Sequence, residues 1–237
     1  MAKSAFAVHL AATPPRDETV SVESSEFGLT EEDVERFLLN FSTLGVAMTE
    51  PVEGWIRRAG EACLAHGLDE LGSALIKHAK HEADHHLLMV RDSEKLVERR
   101  RRRGLVAPDA TDLIARPFCV STVRYRQLHE EVIAGPRPYA QIAIEYEIEQ
   151  LAAQYGPGLI AQCRRALGPQ VDAALGFLIE HATLDIGHTH FNRAQLIRFL
   201  ARQPDVVDGL IEVGSAALDA YLGFLTHCMS EPLSAVR

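Results

Sequence analysis

From Thr30 onward, apolar residues recur every three or four positions, and no stretch settles into the alternation of a strand bounded by turn signals. Thr30 followed by Glu31, Glu32 and Asp33 reads as an N-cap with an acidic first turn. Val34, Phe37, Leu38, Phe41 and Leu44 then share one face, which predicts a first helix. Thr49 before Glu50 and Pro51 is a second start signal, since proline is tolerated at the first helical position, and that helix should run to about His66 and Gly67. From Leu68 to about Arg103 there is no proline. Leu71, Leu75, Ile76, Leu87, Leu88, Val90, Leu96 and Val97 predict one long helix there, ending in Arg99 to Arg103 and Gly104, where cations suit the carbonyl end. A shorter segment over about 117–134 leads to the Gly135-Pro136-Arg137-Pro138 break. The next helix, about 138–155, is apolar on nearly every side except at Gln141, Glu145, Glu147, Glu149 and Gln150, so it must be buried. Gly156-Pro157 and Gly168-Pro169 then punctuate helices of about 157–167, 169–202 and 204–228. The pattern predicts an all-α bundle of about seven or eight helices.

With 237 residues, 47% of them apolar, the chain has enough material for one large domain, expected over 28–237. Residues 1–27 are rich in Ser, Thr, Pro and Glu and read as a mobile arm. Pro14, Pro15, Arg16 and Asp17 interrupt the short apolar stretch there before a signal peptide or membrane span forms, so a soluble cytoplasmic protein without a membrane partner is expected. The net charge of −9 argues against a protein whose main business is coating nucleic acid. The Arg99 to Arg103 run, preceded by Glu94 and Glu98, reads as a solvated helix end. Cys63, Cys119, Cys163 and Cys228 lie far apart with no CxxC pair and read as reduced thiols.

The histidines change the picture. Six of the eleven fall in two windows: His78, His81, His85 and His86 in one, His181 and His188 in the other. Within these windows, His78, Glu82 and His85 repeat the spacing of His181, Asp185 and His188, a His-x3-carboxylate-x2-His pattern. At roughly 100° per residue, each trio projects from a helix as one narrow stripe spanning about 60°. Two such sets of N and O donors, without thiolate, suit iron better than zinc, and two metals are plausible. A carboxylate is needed to bridge such ions, and the buried helix offers Glu145 and Glu149 on one face, with Glu147 pointing away. His81 and His86 sit off the stripe, behind the ligands or at the surface. The domain is thus expected to bind metal.

His78-AKHEADHHLLMVRD-92, the stretch from Glu149 through Gln150, Leu151, Ala152 and Ala153, and Phe177-LIEHATLDIGH-188 together resemble the haem-oxygenase-like diiron oxidases and oxygenases. These share the helical fold of haem oxygenase and of the TenA and PqqC proteins but bind iron instead of haem. The last segment matches the family's His-x3-Asp-x2-His motif in full, and the coarse helix order extends the likeness over about 30–228. The resemblance implies His181, Asp185 and His188 as ligands from the late helix, Glu149 as the bridging carboxylate and His85 as the early histidine. The early helix departs from the pattern. Many members carry a Glu seven residues before that histidine, where this chain has His78; others carry one three residues before, which Glu82 satisfies. His78 and Glu82 therefore both stand as candidate ligands. The resemblance further implies two Fe(II) per chain, one of them weakly held, and O2 as co-substrate.

The expected function is that of an O2-dependent oxidase or oxygenase acting on a small amine- or carboxylate-bearing substrate, such as an amino acid or fatty acid, in specialised metabolism. Arg116, Arg124 and Arg126 on the middle segment are candidates to clamp a carboxylate. An external electron donor and a homodimer fit this reading. Two alternatives remain open. A ferritin-like diiron protein would use Glu82-x2-His85 and Asp185-x2-His188 as paired helical motifs. A metal-free TenA-like hydrolase or binding protein would want a cysteine nucleophile in the pocket.

Overall fold

The computed structural model describes residues 29–233, so the arm expected over 1–27 lies outside the described residues. Nine α-helices and three short 3-10 turns, with no strand, make up the described residues. In chain order the helices are α1 (Glu31–Thr49), α2 (Val52–Ala65), α3 (Asp69–Ala79), α4 (His86–Arg102), α5 (Ala110–Ile114), α6 (Val120–Ala134), α7 (Gln141–Leu167), α8 (Gly176–Arg202) and α9 (Val207–Ser230). The all-α expectation holds.

Helix α1 begins where the sequence places it. The Thr30 side chain accepts from the Asp33 backbone N–H, and Asp33 accepts in return from the Thr30 N–H, a reciprocal cap of two otherwise orphaned donors. The helix is buried on nearly every side and packs against α4, α7 and α9, with Phe41 meeting Phe177 and Phe224 in the centre of the core. The arginines at the end of α4 are not simply solvated, contrary to expectation. Arg99, Arg100 and Arg103 converge on the fully buried Glu35 of α1, at 3.4, 3.0 and 3.1 Å. A buried carboxylate needs such partners, and here they tie α4 to α1. Helices α2 and α3 form a close pair. A Cβ on Gly60 would come within 2.8 Å of the Gly72 carbonyl oxygen, and one on Gly72 within 2.7 Å of the Gly60 oxygen, so only glycines permit this crossing.

Three helix boundaries differ from expectation. The long helix over 68–103 is split by turns at 80–85, with Asp84 in the left-handed region at φ 65°. Lys80 to His85 contains no large apolar residue to hold a helix face in the core, and aspartate is among the few residues that tolerate this backbone. Conversely, the expected break at Pro157 is absent, and α7 runs through it to Leu167. Pro157 is exposed, so the carbonyl it leaves unpaired reaches water, while Ile160, Cys163 and Leu167 continue the buried face. The segment after Gly168 opens with a 3-10 turn (Pro169–Ala174), and α8 starts only at Gly176.

That start is fixed from outside. Helix α8 has no side-chain cap of its own, and the buried Asp92 of α4 supplies one. Its two oxygens accept from the Gly176 and Phe177 backbone N–H groups at 2.9 and 2.8 Å. Removing this cap in Asp92→Ala should lower stability by about 1–3 kcal/mol, and denaturant unfolding that leaves the midpoint unchanged would contradict it.

His129 lies sandwiched on Trp55, ring centroids 4.0 Å apart, with Gln141 as hydrogen-bond partner of its Nδ1. Burial pushes its pKa down to about 3, so the folded state holds it neutral. The unfolded chain takes up this proton near pH 6.5, so stability falls as pH drops from there toward 3 and is constant above. Between pH 7 and 5 the native chain should lose about 2 kcal/mol relative to His129→Gln; parallel stability curves for the two would contradict this.

Candidate metal centre

Four elements meet at the site. The last turn of α3 presents His78, the 80–85 turn presents Glu82 and His85, and α7 and α8, which pack along much of their length, present Glu149 and the trio His181, Asp185 and His188. The donor atoms gather in two groups: His78, Glu82, Glu149 and His188, and Glu82, His85 and His181. Within each, the atoms lie within 4.8 Å of one another. Glu82 belongs to both. Its Oε1 is 3.2 Å from His188 Nδ1, and its Oε2 is 3.0 Å from His85 Nδ1. Glu149, which the resemblance casts as the bridging residue, belongs to the first group only. Asp185 stands beside His188, Oδ1 to Nδ1 3.6 Å, outside both groups. Of the second-tier residues, Glu145 is buried nearby on α7, His81 is exposed with its ring 5.7 Å from that of His188, and His86 opens α4 outside both groups.

The stripe geometry holds on α8 but not at the early window. There His78 ends a helix and Glu82 and His85 sit on the turn, so the turn, not helical periodicity, aims them. That position also counts against the ferritin-like reading, which needs Glu82 and His85 on one helix.

Several orienting residues were not anticipated. Asn192 donates from Nδ2 to Glu149 Oε2 at 2.6 Å, and it extends the α8 stripe by one more turn past His188, a spacing visible in the sequence. His181 Nδ1 lies 2.9 Å from the Phe177 carbonyl and its ring stacks on Phe177, which fixes the tautomer that leaves Nε2 for a ligand. Gln141 donates to Glu145 Oε1 at 2.5 Å. Glu180, 4.0 Å from His85 Nε2, adds a further carboxylate at the more open edge.

The electrostatics call for a cation. Burial, with Asp185 beside it, pushes Glu149 well above the carboxylate range; burial raises Asp185, and raises Glu145 to about 8. Glu82 is held well below that range despite its burial, by the imidazoles of His188 and His85 beside its two oxygens. Burial also opposes charge on His188, yet Asp185 and Glu82 push it up to about 10. Burial lowers His78. Three buried atoms, His78 Nε2, Glu149 Oε1 and His188 Nδ1, have no hydrogen-bond partner among the described residues. His78 Nε2 and Glu149 Oε1 approach to 2.8 Å without the direction of a hydrogen bond. Polar atoms are rarely left so in a core, and orphaned donors from three elements facing one another are what a bound metal ion requires. Imidazole and carboxylate without thiolate suit a first-row ion such as iron or manganese.

Beside the donors lies a cavity of about 170 Å³, open to solvent, with Phe41, Met48, Val52, Ile148 and Phe177 among its apolar walls and Glu82, Glu145, Glu149, His181 and Asp185 at its polar end. None of Arg116, Arg124 and Arg126 lines it. Arg116 is buried against Asn40, Thr43 and the Leu113 carbonyl, Arg126 donates to the Ala47 carbonyl, and Arg124 is exposed. All four cysteines are free and none lines the cavity; burial pushes the Cys63 and Cys163 thiols up to about 12, which leaves a TenA-like nucleophile without a candidate.

No family model matches the chain, and no curated protein matches it. Among solved structures, it is similar to the crystal structure of a domain of unknown function with a heme oxygenase-like fold from Shewanella denitrificans OS217. The TM-score is 0.68, over 96% of this chain and 88% of that one, at 15% sequence identity. The fold of this chain is haem-oxygenase-like, as the sequence resemblance implied. No helix among the described residues is long and apolar enough to cross a membrane.

A centre built this way trades stability for binding. Mn(II), or Fe(II) without oxygen, at about a hundredfold excess over its dissociation constant should raise the melting temperature by about 5–10 °C. Glu149→Gln should raise the melting temperature of the metal-free chain, by removing one of the mutually repelling buried acids, and should diminish the metal-induced rise. A variant that melts lower without metal yet keeps the full rise would contradict this assignment.

Proposed function

We propose that the chain is a non-haem diiron oxidase or oxygenase that uses O2 on a small substrate held in the cavity. The observation that carries this is the pair of histidine and carboxylate groups joined through one carboxylate, Glu82, at the polar end of an apolar cavity. His78, Glu149 and His188 would hold one ferrous ion and His85 and His181 the other, with Glu82 between them and Asp185 beside His188. The fold, shared with enzymes and binding proteins alike, is compatible with this reading and does not choose it.

Bound there, two ferrous ions supply the electrons that reduce O2. The chain's own contribution is placement. Asn192 holds Glu149, the Phe177 carbonyl holds His181, and Asp92 holds the start of α8 from which the trio projects. The apolar walls formed by Phe41, Met48, Ile148 and Phe177 would set the body of the substrate against the donors. The external electron donor and the homodimer belong to the same proposal.

Anaerobic titration should give close to two Fe(II) per chain with the spectroscopic signature of a coupled pair, and His181→Ala or Asp185→Ala should cut O2 consumption by at least a hundredfold. A chain that takes up no iron while fully folded, or a His181→Ala variant with unchanged O2 consumption, would overturn the proposal.

A further inference from the structure

Glu145 is left over by the metal centre. It belongs to neither donor group, yet it is buried on α7 and lines the cavity. Gln141 fixes it, donating to Oε1 while also engaging His129 Nδ1 at 2.8 Å, so the carboxyl is aimed rather than free to turn away. Among the described residues that line the cavity there is no lysine or arginine; the acids are Glu82, Glu145, Glu149 and Asp185. A buried carboxylate needs an opposite charge or a donor; Asp185, also outside both groups, has the His188 imidazole beside it, and once metal occupies Glu82 and Glu149, Glu145 is the acid left to face the substrate space.

Most of the remaining lining is apolar, Met48, Val52, Leu159 and Leu225 among it, with Thr49, Tyr125, Tyr155 and Tyr221 adding neutral hydroxyls. At about 170 Å³ the cavity is close to the roughly 150 Å³ apolar cavity that accommodates a benzene-sized molecule. We infer that the substrate is a compact apolar amine, about one ring in bulk, whose nitrogen is held by Glu145, and that a substrate carboxylate is disfavoured. The inference rests on reading this cavity as the substrate space of the proposed oxidase. A carboxylate in this space would meet like charges on the protein, and the arginines that would have served it lie elsewhere.

Calorimetric titration of the full chain, both metal-free and loaded anaerobically with Fe(II), tests this with phenethylamine, 2-phenylethanol, 3-phenylpropionate and phenylalanine. Phenethylamine should bind at least tenfold tighter than the other three in both forms. Glu145→Gln should bring it to within about threefold of the alcohol while the alcohol's affinity stays put. Tighter binding of 3-phenylpropionate or phenylalanine, an unchanged amine preference in Glu145→Gln, or saturation by none of the four overturns the inference. Should Glu145→Gln fail to fold, the ranking on the native chain still decides. Iron uptake is measured separately. A chain that takes no iron but ranks the amine first overturns the oxidase reading alone, and one that takes two irons but ranks an acid first overturns the amine reading alone.

Discussion

Carboxylates packed together inside a protein repel one another and lose their hydration, and they must either take up protons or gather around a positive charge. Glu82, Glu145, Glu149 and Asp185 are gathered in this way at the heart of a helical bundle, faced by imidazoles whose own protonation is opposed by burial or enforced by the acids. The same chain shows how it treats a buried acid that is purely structural. Glu35 is met by three arginines, and Asp92 by two backbone N–H groups. The acids at the centre have no such compensation from lysine or arginine, and buried donor atoms on His78, Glu149 and His188 are left facing one another. That contrast within one molecule is the physical ground for a metal centre.

The rest of the fold serves to hold this costly arrangement. Helix α8 is started by a carboxylate from α4, so the position of its ligand stripe is set by the packing of another helix. The close crossing of α2 and α3 at Gly60 and Gly72 holds α3 against its neighbour, and with it His78 in the last turn. The turn after α3 then brings Glu82 and His85 in, and α4 is pinned against α1 through Glu35. Binding energy from an ion would flow back into these same contacts, which is how a site so unfavourable when empty of charge becomes part of the stable structure.

The helical character was legible because apolar periodicity and caps agree, as at Thr30 and Asp33. The late ligand stripe was legible because α8 is a continuous helix through 181–188, and Asn192 was readable on the same rule, one turn further on. The early window was legible only in composition. Its spacing matches the late one, but Asp84 in a left-handed conformation breaks the helix, and the residues converge through tertiary placement that periodicity does not encode. Pro157 misled in the opposite direction, because its exposure makes the lost hydrogen bond tolerable, and exposure is a property of the folded state. The arginines illustrate the same limit: their residue type suits carboxylate binding, but Arg116 and Arg126 are committed to neighbouring helices and loops that sequence adjacency does not reveal.

The most direct measurement of the central claim is a crystal structure of the chain grown anaerobically with Fe(II), or with Mn(II) as a stable substitute, recorded at the metal's absorption edge. Two anomalous peaks should flank the Glu82 carboxylate, one among His78, Glu149 and His188 and the other between His85 and His181. A map with no peak at these residues, or with metal bound only elsewhere on the chain, would contradict the account.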